Sequence, residues 1–308
     1  ESPLVDAKVF DGAVVVQMLH PKTALTFDEY VETVFMPYVT MQLQTAERLD
    51  IVWDTYKENS LKKGARENRG SGTRRRVAPS VKVPSNWKSF LRVDGNKTEL
   101  FKLLAEAVGN VNVPGKELYS TYGNNVVTTG PRESMEGLQP CSHEEADTRI
   151  FLHVLDAAKK YDRIMIRTID TDVFVLAVSQ MQRIPEKEMW LAFGTGRQFK
   201  YYPIHKIARS LGPQKSLALP VFHAITGCDT VSFFGGKGKK SAWDTWSVLP
   251  AVTDAFLEIA AAPSRLSDNC LKTIERFVVV MYDRGSELHS VDEARQHLFC
   301  KHARGLDR

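Results

Sequence analysis

Five short runs end in acidic side chains: Val9-Phe10-Asp11, Ile51-Val52-Trp53-Asp54, Glu144-Glu145-Ala146-Asp147, Ile169-Asp170-Thr171-Asp172 and Gly227-Cys228-Asp229. Each stands at the end of an apolar run or at the start of a helical pattern. In an open parallel sheet, ligands bind beyond the carboxyl ends of the strands. Asp11, Asp54, Asp170 and Asp172 all follow β-branched or aromatic runs. Carboxylates gathered at such an edge repel one another and raise their own pKa values unless cations neutralise them. The chemistry expected is therefore an all-oxygen site for Mg2+ or Mn2+. Two acids one residue apart, Asp170 and Asp172, can bridge a pair of ions. Each motif also has a structural reading. Asp is a strong helix cap, Ser142 and Glu145 have the spacing of a capping box, and the helix dipole favours acids in a first turn. In a regular helix Glu144 and Asp147 share a face, whereas Glu145 and Asp147 do not.

A second constellation follows the last acid. Gly235-Gly236-Lys237-Gly238-Lys239-Lys240-Ser241-Ala242 lies between two helical patterns. A helix, a glycine-rich turn and a helix carrying exposed lysines can hold a phosphate backbone, since free backbone N–H groups and ammonium groups both bind phosphate. The bland alternative is a glycine-rich loop with solvated lysines.

The elements that must position these residues follow from periodicity. Residues 8–19 read as a strand running into a short apolar segment, then a helix from Thr26 or Asp28 to about Arg48, and a buried strand Ile51–Trp53. Residues 97–108 form an amphipathic helix, 117–129 a hairpin around Tyr122-Gly123-Asn124-Asn125, 142–160 a helix and 163–169 a strand. Residues 189–193 and 198–202 flank a second turn, and from Ile204 onward the pattern is helical. This βα alternation predicts a doubly wound sheet.

With 308 residues and 43% hydrophobic content, the chain can bury a large core. No apolar run reaches the ~18 residues of a membrane span, and nothing resembles a secretory signal. The expectation is a soluble intracellular protein with no membrane partner. Four scattered cysteines, Cys141, Cys228, Cys270 and Cys300, support neither a zinc knuckle nor a disulfide framework. The net charge is only +4, but Lys57, Lys62, Lys63, Arg66, Arg69, Arg74, Arg75, Arg76, Lys82 and Lys88 cluster in a stretch broken by Gly and Pro. Such a stretch attracts polyanions; it also reads as a solvated loop. Lys62-Lys63 and Arg74-Arg75-Arg76 have the form of a two-part nuclear-import signal, which favours the nucleus over the cytoplasm.

The order of these motifs resembles the flap endonuclease branch of the PIN-like nucleases. That family has a strand-end Asp, a second strand-end Asp before a basic arch, E-A-[ED] opening a helix, D-x-D after a strand, and G-[SC]-D before a helix-turn-helix. Here those are Asp11, Asp54, Glu145 with Asp147, Asp170 with Asp172, and Asp229, followed by Gly236-Lys237-Gly238-Lys239-Lys240. The likeness covers roughly residues 8–250. Asp147 stands where the family commonly has Glu, and residues 109–140 have no counterpart.

The resemblance implies an α/β, PIN-like fold: a doubly wound, mainly parallel sheet flanked by helices, with a basic inserted arch and a C-terminal helix-turn-helix region. The core would comprise residues 1–56 and 97–224, the arch 57–96 and the helical region 225–308. It implies a metal-dependent nuclease that hydrolyses DNA, structure-directed towards flaps, branches or single-stranded ends, through two Mg2+ or Mn2+ ions. Asp11, Asp54, Glu145, Asp147, Asp170, Asp172 and Asp229 would hold the metals. Lys62, Lys63 and Arg66 would meet the scissile phosphate; these three, Lys57, Arg69, Gly236, Lys237, Gly238, Lys239 and Lys240 would bind the nucleic acid. K+ at the helix-turn-helix is a further implication. Two alternatives stay open: a PIN-like ribonuclease acting on RNA, and a catalytically silent nucleic-acid scaffold.

Overall fold

The structure is a computed structural model that describes residues 2–56, 60, 72–111, 113–129, 132 and 134–306, with 302–306 as backbone only. The chain divides into two compact units, Glu1–Ala208 and Arg209–Arg308.

The first unit is a seven-stranded sheet flanked by helices. Its strands are β1 (Ala7–Asp11), β2 (Arg48–Val52), β3 (Glu117–Tyr122), β4 (Asn125–Thr129), β5 (Arg163–Thr168), β6 (Glu188–Phe193) and β7 (Lys200–Pro203), in the spatial order β4-β3-β2-β1-β5-β6-β7. The five inner strands are parallel, and the hairpin partners β4 and β7 close the edges antiparallel. Every residue of β1 and β2 is buried, as expected of inner strands covered on both faces. The chain builds outward from β1 through β2 to β3, then returns to start β5 on the other side of β1. The sheet thus reverses its winding between β1 and β5, and the carboxyl ends of these two strands flank the crevice where such folds bind ligands.

Between β1 and β2 lie α1 (Gly12–Met18), α2 (Phe27–Tyr30) and α3 (Met36–Gln44). A π-helical turn, Val31–Phe35, joins the last two, with Met36 N–H bonded to Val31 C=O. Pro37 explains it: with no N–H, it cannot continue the i to i−4 ladder. Helices α4 (Trp87–Phe90) and α5 (Asp94–Gly109) precede β3. Phe10, Leu49, Ile51 and Leu118 pack with residues of these helices in one large apolar cluster. Helices α6 (Ala146–Ala157) and α7 (Thr171–Gln180) lead into and out of β5.

The opposite face of β2 carries charge. Asp50 is fully buried, and its carboxylate accepts two hydrogen bonds from the Arg48 guanidinium, at 2.7 and 2.8 Å. Its Oδ1 also lies 2.7 Å from His153 Nδ1 on α6. Arg48 reaches Asp156 on the same helix at 2.7 Å, and Arg132 grips Asp156 with two bonds at 2.9 and 2.6 Å. Burial pushes the Asp50 carboxyl up, but the facing Arg48 outweighs this and holds it below the ordinary carboxylate range. Asp156 is lowered in the same way by Arg132 and Arg48. The network fastens α6 to β2 beneath the crevice.

Several expectations change. The valines after Asp11 form a helix rather than an extended segment, because the Asp11 side chain caps it. The second helical stretch ends at Gln44, and Arg48 opens β2. The basic stretch was expected to remain outside the core up to residue 96, yet Trp87 and Phe90 are buried in the core, with Val77, Val81 and Val83 packed against it. The Ser142/Glu145 capping box does not form: Glu145 is itself the cap residue and its side chain makes no cap bond. The helical pattern from Ile204 onward runs on to α13 (Val291–Leu306). The four cysteines are free thiols.

Asp50→Ala should lower unfolding stability by ~3–5 kcal/mol, because it strands Arg48 beside His153 without their shared carboxylate. Urea denaturation of the variant checks this, and an unchanged midpoint would show the network to be idle. The folded-state values of Asp50 and Asp156 lie below the unfolded value near ~3.9. Their contribution is therefore fully present above that pH and is lost as pH falls below it towards and through the folded values.

Candidate active site

Asp11 is the last residue of β1, and the chain must turn there. Its Oδ1 accepts hydrogen bonds from the backbone N–H groups of Ala13 at 3.0 Å and Val14 at 3.3 Å, capping α1. Gly12 makes the turn under an aromatic wall: a Cβ at this position would sit 2.1 Å from the Trp53 ring. Trp53 is held in turn, its indole N–H on Ser120 Oγ at 2.9 Å and its ring stacked on Phe101 with centroids 4.5 Å apart. The second Asp11 oxygen accepts from the Thr168 hydroxyl at 3.3 Å. That hydroxyl accepts from the Asp170 N–H at 3.1 Å. Thr168, at the tip of β5, therefore connects Asp11 to Asp170.

Asp54 follows the end of β2. Its Oδ1 accepts from the Ala146 N–H at 2.9 Å, so that Asp54 caps α6 from across the fold, and its Oδ2 accepts from the Tyr56 hydroxyl at 3.0 Å. Thr55 N–H donates to Glu144 C=O at 2.7 Å beside it. These bonds bring the start of α6, with Glu145 as its cap residue and Asp147 in its first turn, against the end of β2. Asp170 caps α7, accepting from the Asp172 N–H at 2.8 Å, and Asp172 lies in the first turn. Asp11, Asp54, Glu145 and Asp170 thus share the carboxyl edge of the sheet around the winding switch.

The electrostatics single out Asp11. Only 7% exposed, it is pushed up to about 7 by burial and then by the facing charge of Asp54, against the pull of the hydrogen bonds from Val14, Thr168 and Ala13. Burial, with Asp54, Asp94 and Asp11 nearby, holds the Tyr56 phenol well above its ordinary value. Tyr56 therefore remains a donor to Asp54.

Sequence reasoning missed four contributors. Thr168 and Tyr56 each hydrogen-bond one of the acids, and Thr-Ile-Asp and Asp-Thr-Tyr carry no distinguishing pattern. Lys97 on α5 places its ammonium 4.0 Å from the Tyr56 ring centroid and 3.0 Å from Asp94 Oδ1. It comes from a helix assigned only to packing. Arg167, buried on β5, donates to the carbonyls of Ala192 and Gly194, both at 2.8 Å, and so fastens the end of β6 beside the crevice.

The expected arch residues Lys57, Lys62, Lys63, Arg66 and Arg69 lie outside the described residues. Among the described residues, no three His, Cys, Asp or Glu side chains are grouped as a metal-ligand set. The donors that do meet, carboxylates and a hydroxyl, are hard oxygen ligands of the kind Mg2+ and Mn2+ take. The mutual repulsion of Asp11 and Asp54 is what a cation would relieve.

Asp229 belongs to the second unit, whose helices are α8's last residues (from Ile204–Leu211), α9 (Pro213–Ile225), α10 (Lys239–Val248), α11 (Val252–Ala261), α12 (Asp268–Tyr282) and α13. It is exposed on a turn closed by the paired backbone bonds of Cys228 and Val231. The glycine-lysine run does join two helices, α9 and α10. Lys239, expected on phosphate, points elsewhere. Its ammonium donates to the carbonyls of His223 at 2.7 Å and Gly227 at 2.6 Å and to Thr226 Oγ1 at 3.0 Å. A cation at the carboxyl end of α9 satisfies carbonyls that the helix leaves open. Lys240 is 91% exposed and lies 3.3 Å from Asp244 Oδ2. Lys237 lies over the Tyr282 ring at 5.5 Å. Gly238 is the cap residue of α10, and Gly236 has a φ of 70°.

In comparisons with known proteins, no family model matches the chain, no curated protein matches it and no solved structure matches its fold.

Asn caps a helix as well as Asp does, so Asp11→Asn removes the charge and keeps the turn. Because the folded value of Asp11 is raised, wild-type stability falls as pH rises from the unfolded value near ~4 towards about 7 and is level above that. In chelator at pH 8, Asp11→Asn should be more stable than wild type by upwards of about 1 kcal/mol, with the difference vanishing near pH 4. Denaturation curves at the two pH values check this; a variant less stable at pH 8 would show that Asp11 is not under charge strain.

Proposed function

We propose that the chain is a metal-dependent phosphodiesterase acting on nucleic acid, DNA before RNA, with its centre at the carboxyl ends of β1, β2 and β5. The observation that carries this reading is the buried Asp11 carboxyl facing Asp54. Two like charges held together, one in a water-poor position, lower stability and are retained at sites where a cation works between them. Asp11, Asp54 and Asp170 would hold Mg2+ or Mn2+, with Glu145, Asp147 and Asp172 around them. When bound, the metal supplies an activated water and positive charge opposite the phosphate.

The chain's own groups do the positioning. The N–H groups of Ala13 and Val14 and the Thr168 hydroxyl orient Asp11. Tyr56 and the start of α6 orient Asp54. Lys97 adds a positive charge beside Tyr56, where it can offset negative charge that accumulates on a phosphate. Lys62, Lys63 and Arg66 would act on the strand entering the site. Lys237 and Lys240, which keep their ammonium groups clear of the carbonyls that Lys239 engages, would hold the nucleic-acid backbone elsewhere along the substrate. Structure-directed cutting of flapped, branched or single-stranded DNA is the specificity proposed.

The test is incubation with end-labelled single-stranded, duplex and flapped DNA and with RNA, in Mg2+ or Mn2+ and in chelator. Metal-dependent cleavage is expected, and Asp170→Asn, which keeps the α7 cap, should lower turnover by ~100-fold or more while binding stays intact or tightens. Binding without cleavage in any metal would favour the silent scaffold. Preference for RNA would move the assignment to a ribonuclease, and full activity in Asp11→Asn/Asp170→Asn would remove this centre altogether.

A further inference from the structure

Phe233 is 77% exposed. Among the described residues, the other comparably exposed large hydrophobics, Leu4 at 80% and Phe299 at 76%, lie close to the two ends of the chain. Phe233 instead stands in the middle of the turn between α9 and α10, and that turn is fixed. The bridge between Cys228 and Val231 closes one side. The Phe233 backbone lies so near Gly227, whose φ is 102°, that a Cβ there would come within 3.0 Å of Phe233 Cα. Tyr282 donates its hydroxyl to the Gly235 carbonyl at 2.8 Å, and Lys239 anchors Gly227 from below. The braced turn thus holds the phenyl ring in water.

The surroundings say what it is presented to. Lys237 stands on the same turn with its ammonium over the Tyr282 ring, Lys240 follows in the first turn of α10, and Arg284 lies 3.6 Å from Asp244, which Lys240 also meets. Asp244, within α10, is thereby neutralised, and Asp229 is the carboxylate of the turn itself. Gly235 and Gly238 have nothing within 4 Å of where a Cβ would lie, and neither has a positive φ. The fold does not require glycine at either position, but bare backbone leaves room for a ligand chain to approach closely. A π face beside ammonium groups and open backbone matches nucleic acid, in which unpaired bases stack on aromatics while phosphates take the cations.

We propose that Phe233 stacks on an unpaired base of bound nucleic acid while Lys237 and Lys240 hold the adjoining phosphates. The inference rests on the nucleic-acid reading above and assigns its selectivity for single-stranded or unpaired segments to the second unit. The experiment is equilibrium binding by the full chain, in chelator so that nothing is cut, of a fluorescent single strand, a blunt duplex and a duplex with an overhang. Phe233→Ala should weaken binding of the single strand and the overhang roughly 5- to 100-fold, with little change for the blunt duplex and no change in salt dependence. Phe233→Tyr should restore binding and Phe233→Leu should not. Lys237→Ala/Lys240→Ala should instead lower the slope of log affinity against log salt by about one per lost contact. Wild-type binding unaltered by Phe233→Ala would overturn the stacking role and leave the nuclease reading standing. Rescue by Leu as good as by Tyr would overturn stacking in favour of a plain apolar contact. A wild type that binds none of the three probes would overturn both.

Discussion

Asp50 places a full negative charge in the middle of the second strand, with no water to meet it. A lone buried carboxylate is untenable, and the fold answers with Arg48 on the same strand and His153 on α6. Arg48 in turn needs a second acceptor and takes Asp156, which Arg132 completes. Such a network is a weak source of net stability, since desolvation offsets most of the attraction. Its partners must nevertheless stay in register, and that sets where α6 lies on the sheet. Because α6 is set, its amino end reaches the end of β2, where Asp54 caps it. The geometry of the candidate centre thus depends on a charge in the middle of β2, four residues before Asp54.

Around the switch point the balance runs the other way. Asp11 is buried without a cationic partner among its hydrogen bonds, faces another carboxylate, and is restrained by donors too weak to keep its pKa low. The fold neutralises Asp50 thoroughly and leaves Asp11 strained, a difference made by environment alone. The donors on Asp11, backbone N–H groups and a threonine hydroxyl, orient it without neutralising it.

The second unit shows the same division among its lysines. Three lie within four residues, yet Lys239 is drawn to the open carbonyls at the end of α9 and stiffens the turn, while Lys240 reaches out. Nothing in the run Lys237-Gly238-Lys239-Lys240 distinguishes them. Only the position of the α9 carboxyl end relative to the start of α10 does so.

Much of the architecture was legible locally. The hairpins β3-β4 and β6-β7, the strand β5 and the helix α5 follow from alternation, apolar runs and turn residues, whose physics acts over a few residues. Strand-end acids at Asp11, Asp54 and Asp170 were legible for the same reason. The helix after Asp11 was not: Val14-Val15-Val16 favours extension, and the turn is imposed by the Asp11 cap and by Trp53 closing over Gly12, a contact between distant segments. The cap of α6 was sought in Ser142 and Glu145, four residues of local sequence, and is supplied instead by Asp54. Thr168, Tyr56 and Lys97 owe their places to strand order and helix packing, which no local pattern encodes. The sequence by itself determined many of the strands and helices and which carboxylates stand at strand ends, because those follow from short-range sterics and burial period. Tertiary structure decided how burial and partners combine at each charge, which carboxylate is left strained and which lysine is drawn to a helix end rather than to solvent, because those fields depend on groups brought together from distant segments.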